Sequence, residues 1–396
     1  MIAIEKMVAA DRASCMGCYA CYSVCPVSAI IMQEDQEGFR YPQVDADNCI
    51  QCGACEQTCP SLHPILLPAD KEPETLAAIS NNDSSRKQSS SGGIFQLLAE
   101  DILRKGGIVF GAAFDEAWEV HHTSIERIEE LGLLRTSKYL QSRIENNYKK
   151  VKEELQKGRE VLFVGTPCQT IGLRNFLRKD YSYLTVVDFI CHGVPSPAVW
   201  REYLKERIGD LNEIQRISFR DKKLSWERFL LSFLLKKDNK YLAEDLNTDV
   251  YMRGFLHNLY LRPSCHCCRF CRQNRPVDIT LADFWGIQNV APEMYDGKGT
   301  SLLFVHSKKG KILVQCLNAK KKQVSFMQGV QYNPSMLYPT QPSPQRSKFF
   351  RDFQKQPQNL CDLIVKYTKP ALKIRIKNVI KSIPGMTWVI HRIKNN

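Results

Sequence analysis

The 396 residues include 55 Lys and Arg against 42 Asp and Glu, a formal net charge of +13, with 43% hydrophobic and 24% charged residues. That composition excludes a disordered or low-complexity chain, the length exceeds one ordinary core, and no apolar run is long enough to cross a bilayer. The opening stretch MIAIEKMVAADRASC lacks a signal-length hydrophobic run, which predicts a cytoplasmic protein.

Residues 1–62 hold one phrase twice, CMGCYACYSVCP from Cys15 and CIQCGACEQTCP from Cys49. The chain has 16 cysteines, and in a reducing compartment grouped thiols are expected to hold metal rather than form disulfides. The spacing C-x2-C-x2-C-x3-C-P is the bacterial signature for paired 4Fe–4S clusters, in which the fourth cysteine of each repeat serves the other cluster. It predicts Cys15, Cys18, Cys21 and Cys59 on one cluster and Cys49, Cys52, Cys55 and Cys25 on the other. A zinc ribbon would want isolated C-x2-C pairs instead. Between the repeats, two short strands are expected around a turn at Glu37–Gly38.

Residues 63–87, with Pro64, Pro68 and Pro73, read as a linker containing one short strand, TLAAIS. Residues 88–345 alternate apolar runs (GIVFGAAF, VLFVGTP, LTVVDFICHG, DITLADFWG, SLLFVHS) with helical patterns such as IFQLLAEDILRKG and NYKKVKEELQKG. This alternation predicts an α/β domain with a largely parallel sheet, its helices closed by Gly106 and Gly158. The whole is α/β, or α+β overall: a two-cluster ferredoxin domain followed by an α/β domain.

Three turns in this segment carry chemistry. Ser89–Gly93 precedes a helical pattern, and Gly165-Thr166-Pro167-Cys168 ends an apolar strand; open amides at a helix start suit a phosphate or a flavin edge. The alternatives are a capped linker and an ordinary strand-to-helix turn with a buried cysteine. Cys191 and His192 end another strand, at the edge where α/β proteins bind ligands. There His192 is a candidate proton donor, with a structural hydrogen bond as the alternative. Cys265, Cys267, Cys268 and Cys271 crowd the sequence PSCHCCRFC. Cys168, Cys191, Cys265 and Cys268 would supply four thiolates for a third 4Fe–4S cluster; a structural zinc on Cys265, His266 or Cys267, Cys268 and Cys271 competes.

Residues 346–396 read as a basic amphipathic tail. From Asp362 onward it has eight Lys or Arg against one Asp, with Leu372, Ile376, Val379, Ile380 and Ile383 on one helical face. That pattern suits a membrane surface at the inner face of the membrane or a docked partner, and equally a helix packed on the body. Without zinc-finger or RNA-binding signatures, no nucleic-acid partner is expected.

Taken together and in this order, SGGIF, SKYLQS, VLFVGTPCQ, CHGVPSP and DITLADFWG, behind the double cysteine motif, resemble the coenzyme F-420 hydrogenase/dehydrogenase beta-subunit family over roughly residues 8–350. The resemblance implies an iron–sulfur flavoprotein that binds FAD. Ser91, Gly92, Gly93, Ser137, Lys138, Tyr139, Gly165, Thr166 and Pro167 would then surround the flavin and its phosphates, with Asp278, Asp283 and Trp285 as candidates for the active-site wall. Cys267 and Cys271 are additions to the family pattern. Three functions follow as expectations. The first is an oxidoreductase passing electrons from the clusters to FAD and on to a substrate or deazaflavin-like coenzyme, with ferredoxin or a partner subunit exchanging electrons. The second is an electron-transfer subunit with no substrate of its own, feeding a partner enzyme, for instance in glycan biosynthesis. The third is a metal-stabilised scaffold.

Overall fold

The computed structural model describes residues 3–65, 67 and 72–369; the amphipathic helix expected over residues 372–383 lies outside them.

The N-terminal module is a helix, Ala3–Ala10, and a hairpin of β1 (Ile30–Glu34) and β2 (Arg40–Val44), paired antiparallel from Ile30↔Val44 to Glu34↔Arg40. Asp35 closes the hairpin by accepting from the amides of Glu37 (3.0 Å) and Phe39 (2.9 Å). Gly38 takes φ +85° there, and a Cβ would collide with Ala198 at 2.5 Å, so glycine serves both the turn and the contact with the rest of the chain.

The main sheet has eight strands. They are β3 (Glu74–Ser80), β4 (Ile108–Phe114), β5 (Val120–Ile125), β6 (Val161–Val164), β7 (Leu184–Phe189), β11 (Ile279–Asp283), β12 (Ser301–Val305) and β13 (Ala319–Val324), in the order β13-β3-β12-β11-β7-β6-β4-β5. The central four, β11, β7, β6 and β4, are parallel; the flanking pairs are antiparallel. The expected parallel sheet is thus its centre. At one flank, the turn after β4 is too short for a crossover helix, and Asp115 tightens it by accepting from Ala117 and Glu119 at 2.9 Å, so β5 must return antiparallel. Both faces are buried. Val161 and Phe163 point to the core under the helices Asn147–Gln156 and Pro167–Leu177, while Leu162 points to the core under Ile94–Arg104. In β12, Leu303 and Val305 likewise face one way, Leu302 and Phe304 the other. Burial on both sides is why these strands read as continuous apolar runs.

A second sheet of β8 (Ile214–Asp221), β9 (Leu230–Leu235) and β10 (Tyr241–Asp245) is antiparallel and bulged. It packs with the helix Pro197–Ile208 into a core rich in aromatics, including Trp200, Tyr203, Phe219, Tyr251 and Tyr260. Two late helices, Arg346–Lys355 and Leu360–Thr368, put Phe349, Phe353, Leu360 and Ile364 into the same core. Phe39 and Tyr41 of the N-terminal hairpin join it as well. Arg201 spans Glu34 and Glu119, and Arg346 holds Glu37, across the same boundary. The burial of Phe39, 0% exposed, outweighs these ion pairs, because partly exposed pairs contribute little. Among the described residues, no helix is long and apolar enough to cross a membrane.

Candidate functional site

Each cysteine repeat folds the same way. A residue with positive φ, Tyr19 (65°) or Gly53 (69°), turns the chain into a short helix, Ala20–Val24 or Ala54–Thr58. The helix stops at Cys25 or Cys59, whose backbone is extended (ψ 115° and 120°), and Pro26 or Pro60 prevents its continuation. The fourth thiol is therefore swung away from its own three. One pocket is lined by Cys15, Cys18, Cys21 and Cys59, and another by Cys25, Cys49, Cys52 and Cys55. These are the two crossed sets that the spacing predicts.

Among the described residues, no group of three or more His, Cys, Asp or Glu is placed to hold a single metal ion. A cubane is held at its corners, so its thiolates stand wider apart than the ligands of one ion. Burial, with the neighbouring Cys59, pushes the Cys18 thiol well up, and burial with Cys15 does the same to Cys21. Free thiols so placed resist ionising together; a cationic iron core would remove that penalty. The amide of Ala29 points at Cys25 Sγ (3.2 Å) and that of Gln51 at Cys49 Sγ (3.4 Å), contacts that stabilise thiolate charge. The residues thus fit the clusters. Each pocket has one buried cysteine, Cys15 and Cys55, and the second reaches solvent at Cys52, whereas the first has no exposed cysteine.

A third pocket lies directly behind the first. Met16 and Gly17 line both. Its thiols are Cys168, at the start of the helix Pro167–Leu177; Cys191, just after β7; and Cys265, Cys268 and Cys271, from one loop. Burial pushes Cys168 up to about 11 and Cys265 up to about 12. Cys268 is held down by the hydrogen bond it shares with Cys271. Of the loop's own zinc set, Cys265, Cys268 and Cys271 line this pocket as well; Cys267 is exposed and directs its Sγ to the Ala13 carbonyl at 3.7 Å, and His266 Nδ1 meets the Thr340 carbonyl at 2.8 Å while its Nε2 has no partner among the described residues. The amide of Val194 reaches Cys265 Sγ at 3.4 Å. Gly172 lets the same helix close on the first pocket, since a Cβ there would stand 3.3 Å from Cys18 Sγ and 2.9 Å from the Tyr148 hydroxyl. His192 lines this pocket, but its Nε2 is engaged by Asn258 Oδ1 at 2.7 Å.

The remaining predicted residues meet at the carboxyl edge of the parallel strands. Gly92 lies against the sheet, where a Cβ would be 2.4 Å from the Ala78 carbonyl, and Gly93 (φ +87°) starts the helix Ile94–Arg104. Ser137 donates its amide to Ser90 Oγ at 2.8 Å, tying the two predicted stretches together. His122 joins them to the third stretch: its Nε2 lies 3.0 Å from the Val164 carbonyl and its Nδ1 2.7 Å from Ser142 Oγ. Burial lowers His122 to about 4, so the ring is neutral at pH 7. Thr166 and Gln169 form a reciprocal cap on the helix Pro167–Leu177, and Thr166 Oγ1 also contacts Cys168 Sγ at 3.1 Å.

Cations dominate this edge. Lys138 donates to the Arg135 carbonyl at 2.9 Å and lies 5.9 Å from the Phe114 ring; desolvation alone pulls it down to about 7. Arg220, buried, bonds the Ser90 carbonyl (3.2 Å), the Tyr139 hydroxyl (3.3 Å) and Asp283 Oδ1 (3.1 Å), while its Nε has no partner among the described residues. Lys222 reaches the Ser91 carbonyl at 3.2 Å and is lowered to about 8 by burial. Trp226 donates to Asp283 at 3.0 Å and stacks on Trp285 at 4.9 Å. Half-desolvated cations with few carboxylates favour an anionic ligand, and flat indoles favour a ring system. Asp278 is instead tied to the Val186 amide at 2.8 Å and to Ser307, a structural role.

Residues 158–327 match the family model for the C terminus of the beta subunit of coenzyme F420 hydrogenase/dehydrogenase, and residues 14–62 match that of the 4Fe-4S dicluster domain. The first of these matches spans 170 of the 396 residues and lies in the body of the chain, behind the cysteine repeats. A chain in the xenon-derivatised F420-reducing [NiFe] hydrogenase complex from Methanosarcina barkeri aligns with a TM-score of 0.45 at 16% identity, over 76% of this chain and 94% of that one. No curated protein matches.

Sequence reading missed the inward cations of this site. Arg220 and Lys222 lie in the motif-free stretch RISFRDKK, and Arg262 sits alone in LYLRPSC. A buried pair, Arg275 with Asp188 at 3.1 Å, backs the third pocket and was missed too. The available signal was a single charge inside an apolar run, as in LTVVDF for Asp188.

Proposed function

We propose that this chain is an iron–sulfur flavoprotein oxidoreductase, taking electrons through its 4Fe–4S frames to FAD at the sheet edge and on to a substrate or a deazaflavin-like coenzyme. The observation that carries the reading is the shared wall: Met16 and Gly17 border both the first ferredoxin pocket and the third thiol pocket. The three frames therefore form a series, running from the solvent-reaching Cys52 inward to Cys168 beside the Gly165–Pro167 turn. When bound, the clusters supply single-electron transfer and the flavin converts single electrons to pairs. The residues do the rest. Thiolates would hold iron at Cys15, Cys18, Cys21 and Cys59, at Cys49, Cys52, Cys55 and Cys25, and at Cys168, Cys191, Cys265 and Cys268, with Cys271 a fifth candidate in the third frame. Ser91–Gly93, Ser137–Tyr139 and Gly165–Pro167 would border the flavin. Lys138, Lys222 and Arg220 offer the charge its phosphates need. His192, bound to Asn258, serves as a structural contact.

The test is anaerobic purification with iron, acid-labile sulfide and flavin quantified, followed by reduction with a one-electron carrier. A brown protein whose flavin band bleaches fits the reading; a colourless protein holding zinc ends it and favours the scaffold. The electron-relay reading draws on Val27, Ile31 and Ile50, which are 41%, 53% and 61% exposed at or near the outer pocket, apolar surface suited to a partner. Substrate turnover by the isolated chain would remove that second reading.

A further inference from the structure

Arg262 is 0% exposed and lies where the N-terminal module meets the large domain. Its Nε donates to the Cys15 carbonyl (2.9 Å), one terminal nitrogen to Gln141 Oε1 (3.0 Å), and the other to the Arg40 carbonyl (3.0 Å) and Cys15 Sγ (3.7 Å). The guanidinium rests over Tyr41 at 4.3 Å and Phe39 at 5.4 Å. None of its hydrogen-bond partners among the described residues is a carboxylate. The backbone of the same residue is fixed toward the other frame: its amide donates to Val194 and its carbonyl accepts from Cys265, both at 2.9 Å.

A buried cation without a carboxylate is costly unless negative charge reaches it from another source. The sulfur it touches belongs to Cys15, and Cys265 of the next frame is three residues on. We propose that Arg262 is a positioning residue that sets the reduction potential of the Cys15/Cys18/Cys21/Cys59 frame and couples it to the third frame. The inference rests on the reading that both frames carry clusters. Guanidinium stays protonated at all working pH, so no proton moves here. With clusters bound, an electron would arrive from the Cys25/Cys49/Cys52/Cys55 frame and leave to the Cys168/Cys191/Cys265/Cys268 frame, and the fixed cation of Arg262 would offset its charge in between. Tuning by a hydrogen bond and a charge beside the sulfur is a general lever for such sites.

The test uses the anaerobic holoprotein in spectroelectrochemical titrations followed by electron paramagnetic resonance. Arg262→Gln removes the charge while keeping an amide. Gln141→Glu leaves Arg262 in place and sets a carboxylate against it. Both should lower the midpoint of the first frame, Arg262→Gln by about 59 mV or more, a tenfold loss of the reduced form at fixed poise. The outer frame should not shift. Midpoints unmoved in loaded variants, or equal shifts at both ferredoxin frames, overturn the assignment. If Arg262→Gln fails to hold iron, Gln141→Glu decides. Wild-type protein without iron and sulfide would overturn the cluster reading itself, whereas loaded wild type with unmoved variants overturns only the role of Arg262.

Discussion

Lys138 is a partly exposed residue whose ammonium end is desolvated enough to lower it from 10.5 to about 7. Between those values the unfolded chain holds a proton that the folded one lacks. Stability of the flavin-free protein therefore rises with pH across that window, and the charging penalty is fully present below about 7. Lys138→Met should raise the unfolding midpoint of flavin-free protein at pH 6, and its advantage should shrink steadily from pH 7 to about 10. The same substitution should weaken a phosphate-bearing flavin by roughly tenfold relative to riboflavin, as loss of one charge-assisted hydrogen bond implies; equal weakening of both would place Lys138 away from the phosphates. The motif SKYLQS pointed to Lys138 because it is flanked by small polar residues. Nothing in LYLRPSC marks Arg262 as inward-facing, since an arginine beside a proline is ordinarily solvated. Single buried cations are legible only when the fold has brought their partners from distant sequence.

At the scale of elements, the helix Pro167–Leu177 owes its start to Thr166 and Gln169. Thr166→Ala should cost about 1 kcal/mol in chemical denaturation and, by freeing Cys168, should lower iron retention in the third frame more than in the ferredoxin pair. Beyond Asp362 the helix Leu360–Thr368 buries Leu363 and Ile364. Truncation after Lys369 should therefore leave the fold intact, while truncation before Asp362 should destabilise it by several kcal/mol through lost core contacts. If the basic tail beyond Lys369 binds anionic vesicles, the shorter cut alone should abolish co-sedimentation; retained binding would remove the membrane idea. Strands β3, β4, β6, β7, β11 and β12 were legible because both their faces are buried. Strands β5 and β13 were hidden by polar faces: β5 reads VHHTSI, with His121, Thr123 and Ser124 only half-buried, and β13 reads AKKKQV, its lysines guarding a sheet margin. Strand β8 escaped detection because its bulges against β9 break the two-residue period.

For the molecule as a whole, the crossing of the fourth cysteines makes an asymmetric prediction. Cys59→Ala should deplete the frame of Cys15, Cys18 and Cys21, and Cys25→Ala that of Cys49, Cys52 and Cys55, each removing about one cubane of iron. Electron paramagnetic resonance of the two variants should lose different signals; loss of the same signal from both would refute the crossing. The order of the eight-stranded sheet has a further consequence, for synthesis. Strand β3 leaves the ribosome directly behind the cysteine repeats, yet its neighbours on either side are β12 and β13, the last two strands made. Pairings so distant along the chain form late. The repeats are thus complete while the eight-stranded sheet is still open, so iron and sulfide supplied before β12 and β13 pair would meet cysteines whose surrounding body has yet to close.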